Sequence, residues 1–251
     1  ISGINQKILD LKLLYVEIDS SIYFNYSQVS TEESLKTKVI NSLTKYSESV
    51  DLNIFGGRLK YSKLLQVIDS TDTAITSNIT KIRIRRDLKA ALNQFAQYEL
   101  CFGNQFHVNL DGYNIKSTGF KISGEPDTVY FTDVPNEDKK TGVISIVKPV
   151  GDTNRVIVKS AGTVDYVKGE IVLTTINITS TSVEGGIIEI QAFPESNDVI
   201  GLKDLYLNFD ISKSTINMVR DVIASGDEIS GTLFVKDFYT SSYSNGNLVR
   251  K

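Results

Sequence analysis

The chain has one cysteine, one histidine, one methionine, four prolines and no tryptophan in 251 residues. A single thiol excludes an internal disulfide framework and any cysteine-cluster zinc site. A single imidazole, His107, excludes a histidine-rich metal centre built from this chain alone. The longest apolar runs are about four residues, as in Leu13-Leu14-Tyr15-Val16, where a membrane-spanning helix requires roughly 20. Positive charge is not in excess: 27 Lys and Arg against 30 Asp and Glu give a net charge of -3. That excludes a broadly basic coat for nucleic acid. Phosphate-binding glycine loops of the P-loop or dinucleotide type do not occur. Ile1 to Asp10 lacks the charged and apolar regions of a signal peptide, and the initial Ile predicts a processed chain or a piece of a longer one. This inventory points away from an enzyme.

What remains is patterned sequence. Across residues 13–27, Val16, Ile18, Ile22, Phe24 and Tyr26 share one parity, which predicts a half-buried strand with a break near Ser20-Ser21. Ser30-Thr31-Glu32-Glu33 fits a capping box. Leu35, Val39, Leu43, Tyr46 and Val50 then form one helical stripe. After Gly56-Gly57, Leu59, Leu64, Leu65 and Ile68 predict a second, shorter helix, and Ile79 to Asp87 alternates as a strand. Residues 88–97 are ambiguous: Leu88, Leu92 and Phe95 fit a helix turn, yet the stretch that follows alternates. Segments 98–102, 105–110, 127–132, 142–148, 155–160, 169–178 and 186–193 read as strands separated by Gly, Asn and Asp turns. Ile216, Val219 and Ile223 predict a short helix over 213–224, ended by Gly226. Leu233, Val235 and Phe238 predict one more strand. The combination predicts an α+β fold: an N-terminal β-α-α-β layer, an antiparallel β-rich region and a short C-terminal arm. The expected segments are 1–92, 93–199 and 200–251.

Candidate chemistry is thin. His107 needs a nucleophile and an orienting carboxylate to act as a base, and otherwise reads as a strand residue. Cys101, between Leu100 and Phe102, reads as a small half-buried hydrophobe. The carboxylates Glu125, Asp127, Asp133, Glu137 and Asp138 do not match a calcium loop and read as solvated hairpin tips. Lys81, Arg83 and Arg85 line one strand face and read either as a docking stripe or as a solvated face. Met218, Phe234, Phe238, Tyr239 and Tyr243 read as a self-association interface or as packing within the chain's own domain, since Met and aromatics are enriched at interface cores.

Two stretches together carry a family resemblance: Leu52 to Asp87, and Gly162-Thr163-Val164-Asp165-Tyr166 through Gly169 to Leu173. Asp221 to Asp227 adds a third. In this order the chain resembles the C-terminal portion of the inner baseplate wedge subunit of T-even-type contractile-tailed bacteriophages. That family is distantly related to the J-type baseplate proteins. The resemblance implies a virion structural protein that pairs with itself, as a homodimer or ring, and with other wedge proteins around the tail hub. It implies rearrangement when the sheath contracts, and assembly in the host cytoplasm. It carries over no catalytic residue, cofactor, metal, nucleic acid, membrane or small-molecule substrate.

Two other classes stay open on the residues alone. A β-rich receptor- or glycan-binding module would present Tyr113, Tyr130 and Phe131 along a groove. A hydrolase would need carboxylates converging in a pocket.

Overall fold

The computed structural model describes residues 12–52, 54–203 and 205–222, together with a short strand pair, Tyr243–Ser244 and Asn247–Leu248. Strand β1 (Lys12–Phe24) buries Leu14, Val16, Ile18, Ile22 and Phe24 on one side. Helix α1 (Glu32–Ser47) buries the stripe Leu35, Val39, Leu43 and Tyr46, while Val50 falls beyond its end and is exposed. Its cap is Thr31 rather than Ser30: the Thr31 hydroxyl accepts from the Ser34 N–H at 3.2 Å. The two-residue strand β2 (Arg58–Leu59) precedes α2 (Tyr61–Asp69), which buries Leu64 and Ile68. Strand β3 (Ile75–Lys89) then runs antiparallel to β1. The expected break at Ser20 does not occur. Ser20 is buried opposite Thr80, and the two hydroxyls share a 2.7 Å hydrogen bond, so both polar groups are satisfied within the core.

Strand β4 (Phe95–Cys101) is followed by an irregular stretch up to β5 (Lys116–Ser117). The strand expected at 105–110 is absent; only Phe106 forms an isolated bridge, with Pro194. Next come β6 (Phe120–Ile122), β7 (Glu125–Pro135), β8 (Thr141–Val150), β9 (Thr153–Asp165) and β10 (Glu170–Thr181). These five close on themselves in the order β7-β6-β10-β9-β8, with β8 returning to β7. The closed barrel is filled by Phe120, Val129, Phe131, Ile144, Ile146, Val164, Ile171 and Ile178. Closure removes free edges but demands close strand contact. A Cβ on Gly162 would lie 2.3 Å from the Val172 carbonyl oxygen, so only glycine fits there. Asp133 is fully buried in this region. Its carboxylate accepts from the Tyr166 hydroxyl at 2.7 Å and the Ile115 N–H at 2.6 Å.

The chain then returns to its beginning. Strand β11 (Ile187–Ala192) pairs with β3, and β12 (Val199–Ile200) pairs with β2. Strands β13 (Leu205–Phe209) and β14 (Thr215–Arg220) lie in succession along β1, both parallel to it. The helix expected over 213–224 is corrected by β14. The apolar residues Ile216 and Val219 are too few to fix a period, and the open edge of a 13-residue β1 offers a ladder that a helix could not fill.

The α+β expectation, with its N-terminal β-α-α-β layer, is overturned. Strands account for 53% and helices for 13% of the structure, which is mostly β with a barrel. The reason is long-range pairing. The sheet under the two helices takes β11, β13 and β14 from the far end of the chain, and continues through β5 into the barrel strands. The helices cover one patch of that sheet and form no layer of their own.

Helix α2 depends on a residue more than a hundred positions away. The Tyr61 N–H donates to the Asp198 carboxylate at 2.9 Å, and Arg58 pairs with the same carboxylate at 2.8 Å. Lys60, at the cap position, supplies no side-chain bond. We expect Asp198→Ala to cost about 1 kcal/mol, the usual weight of a lost N-terminal cap, measured by urea denaturation. A change within error of zero would show that the distant cap contributes nothing.

Candidate functional site

The three residues of the expected basic stripe have three different fates. On β3, Lys81, Arg83 and Arg85 sit opposite Asp19, Glu17 and Tyr15 of β1. Lys81 is exposed and Arg83 half-buried, but the Arg85 side chain is 3% exposed. Arg85 therefore does not belong to a docking stripe. Its guanidinium meets Glu17 at 2.5 Å, Asp87 at 3.1 Å and Asp210 at 3.1 Å, with Glu189 at 4.0 Å. It lies 4.2 Å from the centroid of the Tyr15 ring. Lys213 pairs with Glu189, and the Gln191 amide donates to the second oxygen of Glu17 at 2.5 Å.

The backbone explains how Asp210 arrives there. Between β13 and β14 the chain leaves the ladder for a short excursion. The Asp210 N–H still donates to the Val16 carbonyl at 2.8 Å, and the Ile18 N–H donates to the Ser214 hydroxyl at 3.0 Å. The excursion lifts the Asp210 carboxylate onto Arg85.

The carboxylates around this one cation are not equivalent. Burial pushes Glu17 above its ordinary range, with the Arg85 charge pulling against it. Burial does the same to Asp87. At Asp210 burial also works upward, but a hydrogen bond from Ser212 and the Arg85 charge outweigh it and hold the group below its ordinary value. For Arg85, burial opposes the charge and the four surrounding carboxylates restore it. Each acid in the group is taken up by a cation or an amide, so the cluster fastens the fold.

The remaining candidates are dispersed. His107 is exposed and its Nδ1 lies 2.9 Å from the Glu195 carboxylate, in the irregular stretch before β5. Cys101 is half-buried near the end of β4, and its carbonyl accepts from Arg86 at 3.2 Å. Glu125 and Asp127 clamp Lys148 at 3.3 and 2.5 Å. Asp138 accepts from the Lys140 and Thr141 N–H groups at 3.0 Å each. Asp133, expected at a solvated tip, is instead the buried partner of Tyr166. Among the described residues no group of three or more His, Cys, Asp and Glu could hold a metal ion. Met218 is half-buried against the core. Phe234, Phe238 and Tyr239 lie outside the described residues, as does the side chain of Tyr243.

Two surfaces stand out, and only the second had a signal in the sequence, the aromatic residues Tyr113, Tyr130 and Phe131 named for a groove. The first is apolar. Pairing of β2 with β12 brings the loop around Ile54 and Phe55 against residues 200–206. Phe55 is 58% exposed even though its ring meets Tyr206 edge-on at 5.6 Å, and Ile54, Ile200 and Leu202 are exposed as well. The second is a cavity of about 200 Å³ against the barrel wall, lined by Tyr113, Lys116, Tyr130, Phe131, Val147 and Pro149 among others. The exposed apolar residues of the first surface, far apart in sequence, gave no period to read.

Two outcomes check the ion cluster. Arg85→Met should lower unfolding free energy by roughly 3–5 kcal/mol, because several buried carboxylates lose their counter-charge; a loss below 1 kcal/mol in chemical denaturation would refute that role. Asp210→Asn should narrow the gap to wild type as pH falls. A carboxylate held below its ordinary value of 3.8 contributes stability above that pH and loses it as pH drops through the lowered value. Thermal melts of both proteins from neutral pH down to about pH 3 would show a constant gap if the assignment is wrong.

No curated protein matches the chain significantly. A family model matches a stretch that spans β1, α1, β2, α2 and all but the last two residues of β3. The Gly162 to Leu173 stretch lies beyond the matched residues. Residues 12–87 match baseplate structural protein gp6, C-terminal domain III, which supports a structural role in a phage tail baseplate and is consistent with the C-terminal portion of a baseplate wedge subunit.

Proposed function

We propose that the chain is a structural subunit of a baseplate wedge that self-associates and docks other wedge proteins into the ring around the tail hub. In this reading it works in the virion after assembly in the host cytoplasm, and it shifts position when the sheath contracts. The observation that carries the reading is the family match over residues 12–87. Residues Lys81 and Arg83 remain candidates for docking an acidic surface. The segment from residue 200 onward, with Met218, Phe234, Phe238, Tyr239 and Tyr243, is the proposed self-association arm.

Two structural features favour association. Strands β13 and β14 end the sheet, and among the described residues neither has a strand on its outer side. Apart from the single bridge at Tyr206, this edge offers backbone groups that can pair with another chain. The apolar patch at Ile54, Phe55, Ile200 and Leu202 offers a surface whose burial contributes about 25 cal/mol per Å² of apolar area. It sits beside the same edge, because Phe55 bridges to Tyr206 on β13.

Sedimentation equilibrium tests this directly. The chain should show reversible self-association, or a mass shift when mixed with purified wedge proteins. Phe55→Asp should weaken that association about tenfold or more, as expected for a central apolar contact, without lowering the melting temperature. A strict monomer at high concentration that also ignores the other wedge proteins would overturn the proposal.

A further inference from the structure

We infer that the cavity against the barrel wall is an anchor pocket for one apolar side chain, flanked by a carboxylate, from a segment of a partner protein. This rests on the reading of the chain as a docking subunit and names the chemistry of what docks.

Size is the first argument. The cavity measures about 200 Å³, whereas pockets for cofactors and drug-sized ligands begin near 300 Å³. It suits a single inserted side chain, which is how interface hot spots are built. Its walls are Tyr113, Tyr130, Val147 and Pro149, and the buried Phe131 lines it as well.

Charge is the second. Lys116 stands exposed at the cavity, and among the described residues it has no ion-pair partner. No carboxylate lines the cavity. The neighbouring Lys148 is already clamped by Glu125 and Asp127, so Lys116 is the cation left to receive an incoming acid. An apolar side chain next to a basic group would bring like charges together there.

Backbone strain is the third. Tyr113 has φ of 65°, a left-handed conformation that a bulky residue adopts at a cost. The surrounding contacts impose it. The Tyr113 N–H donates to the Asp133 carbonyl at 3.1 Å. Asn114 is held from both sides: its amide donates to the Phe193 carbonyl at 3.1 Å, and its oxygen accepts from the Phe193 N–H at 2.8 Å. A glycine at 113 would take this shape without strain. The tyrosine instead places an aromatic ring, 43% exposed, beside the pocket. Because the loop is fixed in advance, little ordering cost remains for binding.

The test uses the whole chain, labelled with ¹⁵N, and two capped tetrapeptides that differ in one residue: acetyl-Gly-Leu-Asp-Gly-amide and acetyl-Gly-Leu-Lys-Gly-amide. The acidic peptide should shift the amide signals of Tyr113, Lys116, Tyr130 and Asn154. The basic peptide should bind roughly two- to fivefold more weakly, the weight of one partly exposed ion pair. Lys116→Glu should reverse that order. Tyr113→Gly should abolish the shifts while leaving the melting temperature unchanged or higher, a combination that loss of folding could not produce. The proposal is overturned if neither peptide shifts these signals, if both bind equally, or if a chitin oligosaccharide shifts them and the peptides do not. Each of those results leaves the sedimentation behaviour described above unaffected, so this proposal can fail while the docking role stands.

Discussion

One guanidinium organises the end of the molecule where the chain begins and returns. Arg85 sits almost fully enclosed, in contact with acids contributed by β1, β3, β11 and the excursion between β13 and β14. Enclosing a charge is expensive unless partners replace its water. Besides Asp87 on its own strand, the partners are Glu17, Glu189 and Asp210, so the guanidinium is satisfied only when three distant segments have assembled in register against β3. A hydrophobic contact tolerates sliding; a planar cation with directed hydrogen bonds does not. The cluster therefore specifies how β13 and β14 lie along β1, and through them where the outer edge of the sheet falls.

That edge, and the patch beside it, are where the fold meets its surroundings. The barrel closes its own strands, which leaves few unpaired backbone groups on that side. The N-terminal sheet ends at β13 and β14, with an isolated bridge from Phe55 to Tyr206 on the outer side of β13 and no further strand there among the described residues. The β2–β12 pair then places exposed apolar side chains near that edge. Several charged groups elsewhere are also tied down, as where Glu125 and Asp127 clamp Lys148 and Asp198 holds Arg58 and the start of α2. The result is a stiff body with a few specific faces, which is the physical requirement of a part in a larger assembly. The left-handed backbone at Tyr113, shared among the described non-glycine residues with Asn93 and Lys139, lies against the cavity.

Much of the local structure was readable. The helical stripe Leu35, Val39, Leu43 and Tyr46 predicted α1 and its buried face, because a four-turn amphipathic pattern is longer than chance supplies. Four of the five barrel strands were placed to within a few residues by alternation and by Gly and Asp turns, while the three-residue β6 was not read. The short elements failed. Residues 105–110 alternate in composition but take an irregular path, held by bonds from Asn114 and to Phe193. Residues 215–220 have apolar spacing compatible with a helix, and became a strand because β1 was open beside them. The basic stripe was read from one strand, and its third member turned out to belong to the opposing acids. Of the proposed interface residues only Met218 is described beyond its backbone, and it packs partly inward.

Composition and periodicity by themselves determined the poverty of reactive groups, the positions of both helices and the strand-rich character of the middle of the chain. Each of these follows from residue type or from spacing within about twenty positions. Tertiary structure alone decided that the class is mostly β, that the sheet is completed by strands from the far end, that Arg85 is a fastener, and that an apolar patch forms around Phe55. Those outcomes depend on which distant segments pair. Pairing is chosen by the joint free energy of ladder hydrogen bonds, buried area and charge satisfaction across the assembled sheet, and no single stretch of sequence contains that sum.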